Sequence, residues 1–253
     1  MKLQTAIWIL LLGTSVAHAQ TGIWMGVGPA AHTQAVKENP FSADLLTIND
    51  HAPGQPGVTT QFQGKVARNS KGGYYCAMEL MRPTPDPTRP MRVTITDPAA
   101  LTVTSLDEQS KVAYVSHVSA AALGAAPYLT PGSAHASGDG RPASTADATA
   151  KGNSVKTESL GTKDIAGVKA VGIRTIRTSP PNSNGDKPFV LTVDTWTSPD
   201  LKVIVLTETS TSDGDHHITR LENIVRTEPS QALFQIPVGY KVQDNMPMAN
   251  NVH

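Results

Sequence analysis

Almost no stretch of this 253-residue chain keeps the i, i+3, i+4, i+7 apolar spacing that a long helix needs. Short runs rich in Thr, Val and Ile recur instead, each closed by Gly, Pro, Asp or Ser. That rhythm predicts a mainly β protein with few short helices. The first run is "PFSADLLTI", with Phe41, Ala43 and Leu45 on one face. "TTQFQGKVARN", a Ser-Lys-Gly-Gly turn and "YYCAMELM" follow, then "MRVTIT", "LTVTSL" and "KVAYVSHV". Pro98 presets φ in the turn "DPAA", and Asp107 can bond its own backbone in "DEQS". Pairing resumes with "SVKTESLGTKDIAGVKAVGIRTIRT", turning at "DIAGV". "KPFVLTVDTW", "LKVIVLTETS" and "HHITRLENIVRTE" then join through "SPD" and "SDGD".

One run breaks the simple alternation. In "WTSPDLKVIVLTETS" Leu201, Val203 and Val205 are expected to point one way, and Ile204 and Leu206 the other. A surface strand of an antiparallel sheet normally has one wet face and one dry face. Two apolar faces fit either an open half-barrel, a curved sheet with one face lining a concavity, or a central strand of a closed β-sandwich. Near the C-terminus, Pro229 in "EPSQALF" suits the first turn of a short helix. "FQIPVGYKV" is expected to carry Phe234, Ile236, Val238, Tyr240 and Val242 on one face of a strand.

Other segments read differently. Lys2, the apolar "AIWILLLG" and the small-residue "AHA" have the pattern of a signal peptide over residues 1–19, cleaved after Ala19. That predicts an exported, periplasmic or secreted protein with no transmembrane segment in the mature chain. Residues 20–39 have no sustained period and predict a poorly ordered start, and 243–253 a frayed tail. "RPTPDPTRP" has four prolines in nine residues and cannot be a strand interior. Residues 119–152 hold eleven alanines and little that could form a core, predicting a flexible insertion in a single β domain spanning 40–242. Lys plus Arg and Asp plus Glu are equal at 21. Such a balance disfavours nucleic acid as a partner. Cys76 is the single cysteine, so export has not been used to build a disulfide framework.

Catalytic templates are missing. There is no G-x-S-x-G, S-x-x-K, H-E-x-x-H or phosphate-binding loop, and no catalytic residue or cofactor is assigned. Cys76 inside a strand reads as a packing residue, with no His placed beside it in sequence. "DGDHH" gathers Asp213, Asp215, His216 and His217, but adjacent histidines in a strand point to opposite faces. The segment reads as a hairpin turn, and no metal ligand is assigned. The pairs Arg174 with Arg177, and Arg220 with Glu222, are expected to be solvent-facing cross-strand charges.

The C-terminal half also resembles a known group. "LGTKDIAGVKAVGIRTIRT", "DTWTSPDLKVIVLTETS" and "ITRLENIVRTEPSQALFQIPVGYKV" are similar to uncharacterised secreted bacterial proteins and, more loosely, to the periplasmic lipoprotein-carrier (LolA-like) superfamily. The features that carry it are Trp196, the turn Ser198 to Leu201, the strand Val203 to Leu206, and the clasp Leu233, Phe234, Pro237, Gly239 and Tyr240. They span roughly residues 155–242, and 40–118 match in strand rhythm only. The resemblance implies a curved antiparallel sheet whose concave face, in the carriers, is plugged by helices that this sequence has little material to build. It implies a non-enzymatic envelope protein binding a lipid, lipoprotein or other hydrophobic ligand, with Trp196, Val203, Ile204, Val205 and Leu206 on the binding face. The other expectation is an envelope protein-protein interaction or structural module without a small ligand.

Overall fold

The computed structural model describes residues 36–50, 59–79, 91–120, 123, 153–181 and 187–245. The expectations for residues 1–19, for most of 20–39, for 82–90 and for most of 119–152 lie outside these. Twelve strands form one open, curved sheet: β1 (Phe41–Asp50), β2 (Thr60–Arg68), β3 (Tyr74–Glu79), β4 (Met91–Asp97), β5 (Thr102–Asp107), β6 (Val112–His117), β7 (Ser154–Ile165), β8 (Val168–Ser179), β9 (Phe189–Ser198), β10 (Val203–Thr211), β11 (His216–Val225) and β12 (Lys241–Asn245). Their spatial order is β12-β6-β5-β4-β3-β2-β1-β11-β10-β9-β8-β7. The half-barrel reading therefore describes the sheet, and a closed sandwich does not.

β1 is the hinge of this architecture. β2 to β6 meander away from it on one side, and β11 back to β7 on the other, all antiparallel. Residues 118–153 join β6 to β7, ten strand steps apart. At ~4.8 Å per step that is roughly 48 Å along the sheet.

Turn chemistry follows the sequence closely. Asp97 Oδ1 accepts from the backbone N–H of Ala99 and Ala100, and Asp107 Oδ1 from those of Gln109 and Ser110. The β7–β8 turn places Ala166 at φ 49 and Gly167 at φ 79. Two consecutive positive φ values are what a twisted two-residue hairpin needs, and glycine takes the second at no steric cost.

Two apolar clusters hold the sheet. The larger joins Phe41, Ala43, Leu45, Val66, Tyr74, Trp196, Leu201, Val203, Val205, Leu206 and Leu221 with residues of β8. Arg68 closes its end. Its guanidinium sits 5.0 Å from the Phe41 ring centroid, donates to the carbonyl of Asn39 at 3.0 and 2.8 Å and also to the carbonyl of Leu201. Burial holds this group down to about 10. The smaller cluster joins Ala77, Val93, Ile95, Leu106 and Ala113, with Phe234, Ile236 and Tyr240 packed on it.

That packing corrects the C-terminal expectation. "FQIPVGYKV" is not one strand. A single 3-10 turn covers Gln231–Phe234, so Pro229 lies before it and not in its first turn, and Ser230 caps it by accepting from the N–H of Ala232. Phe234, Ile236 and Tyr240 turn inward while Val238 is fully exposed. Alternation failed because Pro237 and the Val238–Gly239 turn, with Gly239 at φ 91, bend the chain. Gln243 to Asn245, expected to fray, belong to β12, which pairs parallel with β6 from Lys241↔Val112 to Asn245↔Ser116. The sheet is thus antiparallel except at this edge.

Candidate functional site

The five residues expected on a binding face lie together around the β9–β10 hairpin. Trp196, Val203, Val205 and Leu206 are buried, and Ile204 is half-buried. Their strict alternation is interrupted. Ile204 pairs with Thr197 and Leu206 with Trp196, so Val205 is an extra residue in a bulge. Leu201 is not in the strand but in the turn before it, where its N–H donates to Ser198 Oγ. Trp196 lies across Gly172 on β8, where an added Cβ would stand 2.7 Å from the indole ring. Lys163 Nζ caps the same ring, 3.9 Å from its centroid.

Register sorts the polar side chains by face, a feature invisible in the linear sequence. One row across the sheet runs Ser159, Ile173, Thr195, Thr207, Thr219, Thr47 and Phe62. The next row on that side runs Thr157, Thr175, Val193, Thr209, His217, Asn49 and Thr60. From β8 to β3 the residues on this threonine face include no carboxylate. It also carries Val155, Val171 and Ile173, all large apolar residues left exposed.

The opposite face carries the ion pairs. Glu158, Arg174, Asp194 and Glu208 stand in one row across β7 to β10. Arg174 makes a forked contact to Asp194, Nε to Oδ1 at 2.7 Å and Nη2 to Oδ2 at 2.6 Å. The neighbouring carboxylate raises the pKa of the guanidinium. Lys65 with Asp44 at 3.2 Å and Arg220 with Glu222 at 2.7 Å continue the pattern. Asn223 and Lys65 both donate to Asp44 and hold its carboxyl below the usual range. Here the expected pairing of Arg174 with Arg177 is corrected. Residues three apart in a strand face opposite ways, so Arg174 joins the ion pairs and Arg177 the threonine face. Arg220 and Glu222 pair along one strand rather than across two.

"DGDHH" forms the β10–β11 hairpin turn and the start of β11, with Gly214 at φ 91. His216 is exposed and His217 buried, on opposite sides of β11. His217 Nδ1 contacts Asn49 Oδ1, and its Nε2 lies 3.2 Å from Thr219 Oγ1, itself 3.3 Å from Thr47 Oγ1. Burial, with His216 adding to it, holds the imidazole below its ordinary 6.5. Its neutral form is therefore favoured in the fold, and the unfolded chain takes up the proton first. The resulting stability is present above about pH 6.5 and is lost as pH falls toward the folded value. The melting temperature should thus fall between about pH 7 and 5, and His217→Gln should flatten that slope. An unchanged slope in the variant would assign the acid sensitivity elsewhere.

Among the described residues no three His, Cys, Asp or Glu side chains converge to hold a metal. Burial pushes the Cys76 thiol up to about 11, leaving little thiolate near neutrality. Native protein should react with a disulfide thiol reagent at pH 8 far more slowly than unfolded protein. Equal rates would mean that the β3 strand opens readily. Among the described residues no helix is long and apolar enough to cross a membrane.

No family model and no curated protein matches the chain. Solved structures do. MucB, in complex with MucA(peri), is 10% identical with a TM-score of 0.39, covering 81% of this chain and 57% of its own. The lipoprotein LppX of Mycobacterium tuberculosis is 11% identical with a TM-score of 0.33, covering 79% of this chain and 93% of its own. A LolA superfamily protein from Nitrosomonas europaea is 9% identical with a TM-score of 0.30, covering 81% and 94%. The chain spans little more than half the length of MucB. The likeness to these structures covers about four fifths of this chain at about a tenth identity. It is a likeness of fold. What the sheet does has to be argued from its own two faces.

Proposed function

We propose that this is a non-enzymatic, exported protein of the bacterial cell envelope that holds a hydrophobic ligand against the threonine face. The observation that carries the reading is the segregation of charge. Ion pairs between β7 and β2 collect on one face. The other combines aliphatic side chains with hydroxyls and is free of carboxylates from β8 to β3. An apolar molecule gains from contact with the exposed Val155, Val171 and Ile173 and the half-buried Ile204, which border the buried Thr175, Thr207 and Thr209. On this reading Trp196, Val203, Val205 and Leu206 support the ligand face as its packed underside, and Ile204 is the one of the five placed to touch the ligand.

A second reading has its own support. β7 is a twelve-residue edge strand whose side chains are all exposed or half-buried. An uncovered edge offers unpaired backbone groups to an added strand, as an envelope interaction module would require. Native mass spectrometry of protein extracted from its own envelope separates the two. A co-purifying apolar molecule of low mass is expected, whereas a stoichiometric protein partner without one would favour the interaction module.

A further inference from the structure

The threonine face from β8 to β3 includes three cations. Lys169 stands in register with Asp164 at the β7–β8 hairpin, and Arg68 is bound to the carbonyls of Asn39 and Leu201. Arg177 has no hydrogen-bond or ion-pair partner among the described residues, and its Nε is buried without one. Burial holds its guanidinium below the ordinary arginine range. A desolvated donor left unsatisfied carries a penalty that a bound acceptor would remove.

We propose that Arg177 anchors the head group of a single-chain carboxylate amphiphile whose tail lies along Ile173 and Val171. The proposal rests on the threonine face being the ligand face, and it adds the ligand's class. β8 presents Arg177, Thr175, Ile173 and Val171 at alternate positions on one side, over roughly 20 Å at ~3.4 Å per residue. Ile173 and Val171 are 48% and 42% exposed, which leaves an apolar strip for an acyl chain that reaches past the buried Thr175 to the guanidinium. Val155 and Leu191 flank Arg177 in register, so the head group would sit between apolar neighbours that exclude water.

The charge of the ligand follows from the count of cations that face it. A carboxylate takes two parallel N–H bonds from one guanidinium fork, Nε included. A phosphate dianion would bring a second charge that nothing nearby meets. His217, the other titratable group toward this end, is held toward its neutral form. Asp164 lies at the far end of β8, and Glu158, Asp194 and Glu208 are on the opposite face. Thr157 and Thr175 stand in register one row away on the same side of the sheet.

The test is calorimetric titration of the full mature chain with dodecanoate and, separately, dodecyltrimethylammonium, both below their micelle concentrations. Wild-type protein should bind dodecanoate about 10-fold more tightly, as a forked charge-assisted contact implies. Arg177→Gln should bring the two affinities together, and Arg177→Lys should keep part of the preference. Arg174→Gln, which removes a cation from the other face, should leave the preference intact. Binding of both amphiphiles with a preference that survives Arg177→Gln would overturn the anchor and leave the ligand face standing. Binding of neither would overturn both. Melting curves of the Gln and Lys variants show whether either has lost its fold, and the Lys variant keeps the test decisive if Gln does.

Discussion

Val203→Lys is expected to destabilise the protein by about 3–5 kcal/mol, and Ile204→Lys by less than about 1. Val203 is 1% exposed and packs in the cluster of Trp196, Leu201 and Val205. A lysine there would have to bury its ammonium or break the cluster apart. Ile204, its neighbour in sequence, is half-buried and pairs with Thr197 on the threonine face. There a four-carbon stem can lie along the sheet and carry its charge to water. Urea unfolding of the two variants measures the difference. Equal, severe losses would mean that both sides of β10 are closed, and the case for an open ligand face would go with them.

Trp196→Ala is expected to cost about 3–5 kcal/mol, because little around so large a buried ring can collapse into the space it leaves. Its partner residue gives the sharper experiment. Gly172→Ala should itself cost about 1–3 kcal/mol, since the new methyl would meet the indole ring at 2.7 Å. Joined to Trp196→Ala, the same methyl has nothing to strike and fills part of the cavity. The double variant should therefore be more stable than the sum of the single losses, by at least about 1 kcal/mol. Strict additivity would mean that Trp196 does not lie across Gly172.

Much of this sheet was legible because turn chemistry is local. Asp97 and Asp107 bond the backbone two and three residues on, and Gly167 takes a positive φ, whatever the rest of the chain does. Strand periods around Phe41 and in "MRVTIT" were likewise plain, because one side packs and the other does not. Three features were not legible. The bulge at Val205 inserts a residue without any Gly or Pro to announce it. The clasp at 234–240 alternates in composition but bends in space, and its inward residues are fixed by a cluster on β3 to β6 far away in sequence. Charge segregation depends on register. Arg174 and Arg177 look equivalent in "GIRTIRT" until β9 sets Asp194 opposite the first and Leu191 opposite the second.

The same dependence bears on the residues expected at the site. Apolar character drew attention to Trp196 and Val203 to Leu206, and four of those five are packing residues in the sheet. Val155, Val171 and Ile173 were passed over because each sits alone among polar neighbours in sequence. Across two hydrogen-bonded strands they share one side of the sheet with Arg177. A sequence cue existed: Val171, Ile173 and Thr175 alternate with Gly172 and Arg174, which marks a strand with two different sides.

The most direct measurement of ligand binding on the threonine face is methyl NMR of Ile, Leu and Val-labelled protein titrated with N-phenyl-1-naphthylamine. The naphthyl ring shifts any methyl it rests on. Val155, Val171, Ile173 and Ile204 should move together and saturate, while Leu46 and Val168 on the other side, and Val93 in the smaller cluster, stay in place. No shifts at saturating probe, or shifts confined to the exposed Val238 and Val242 at the β12 edge, would contradict a ligand face on this side of the sheet.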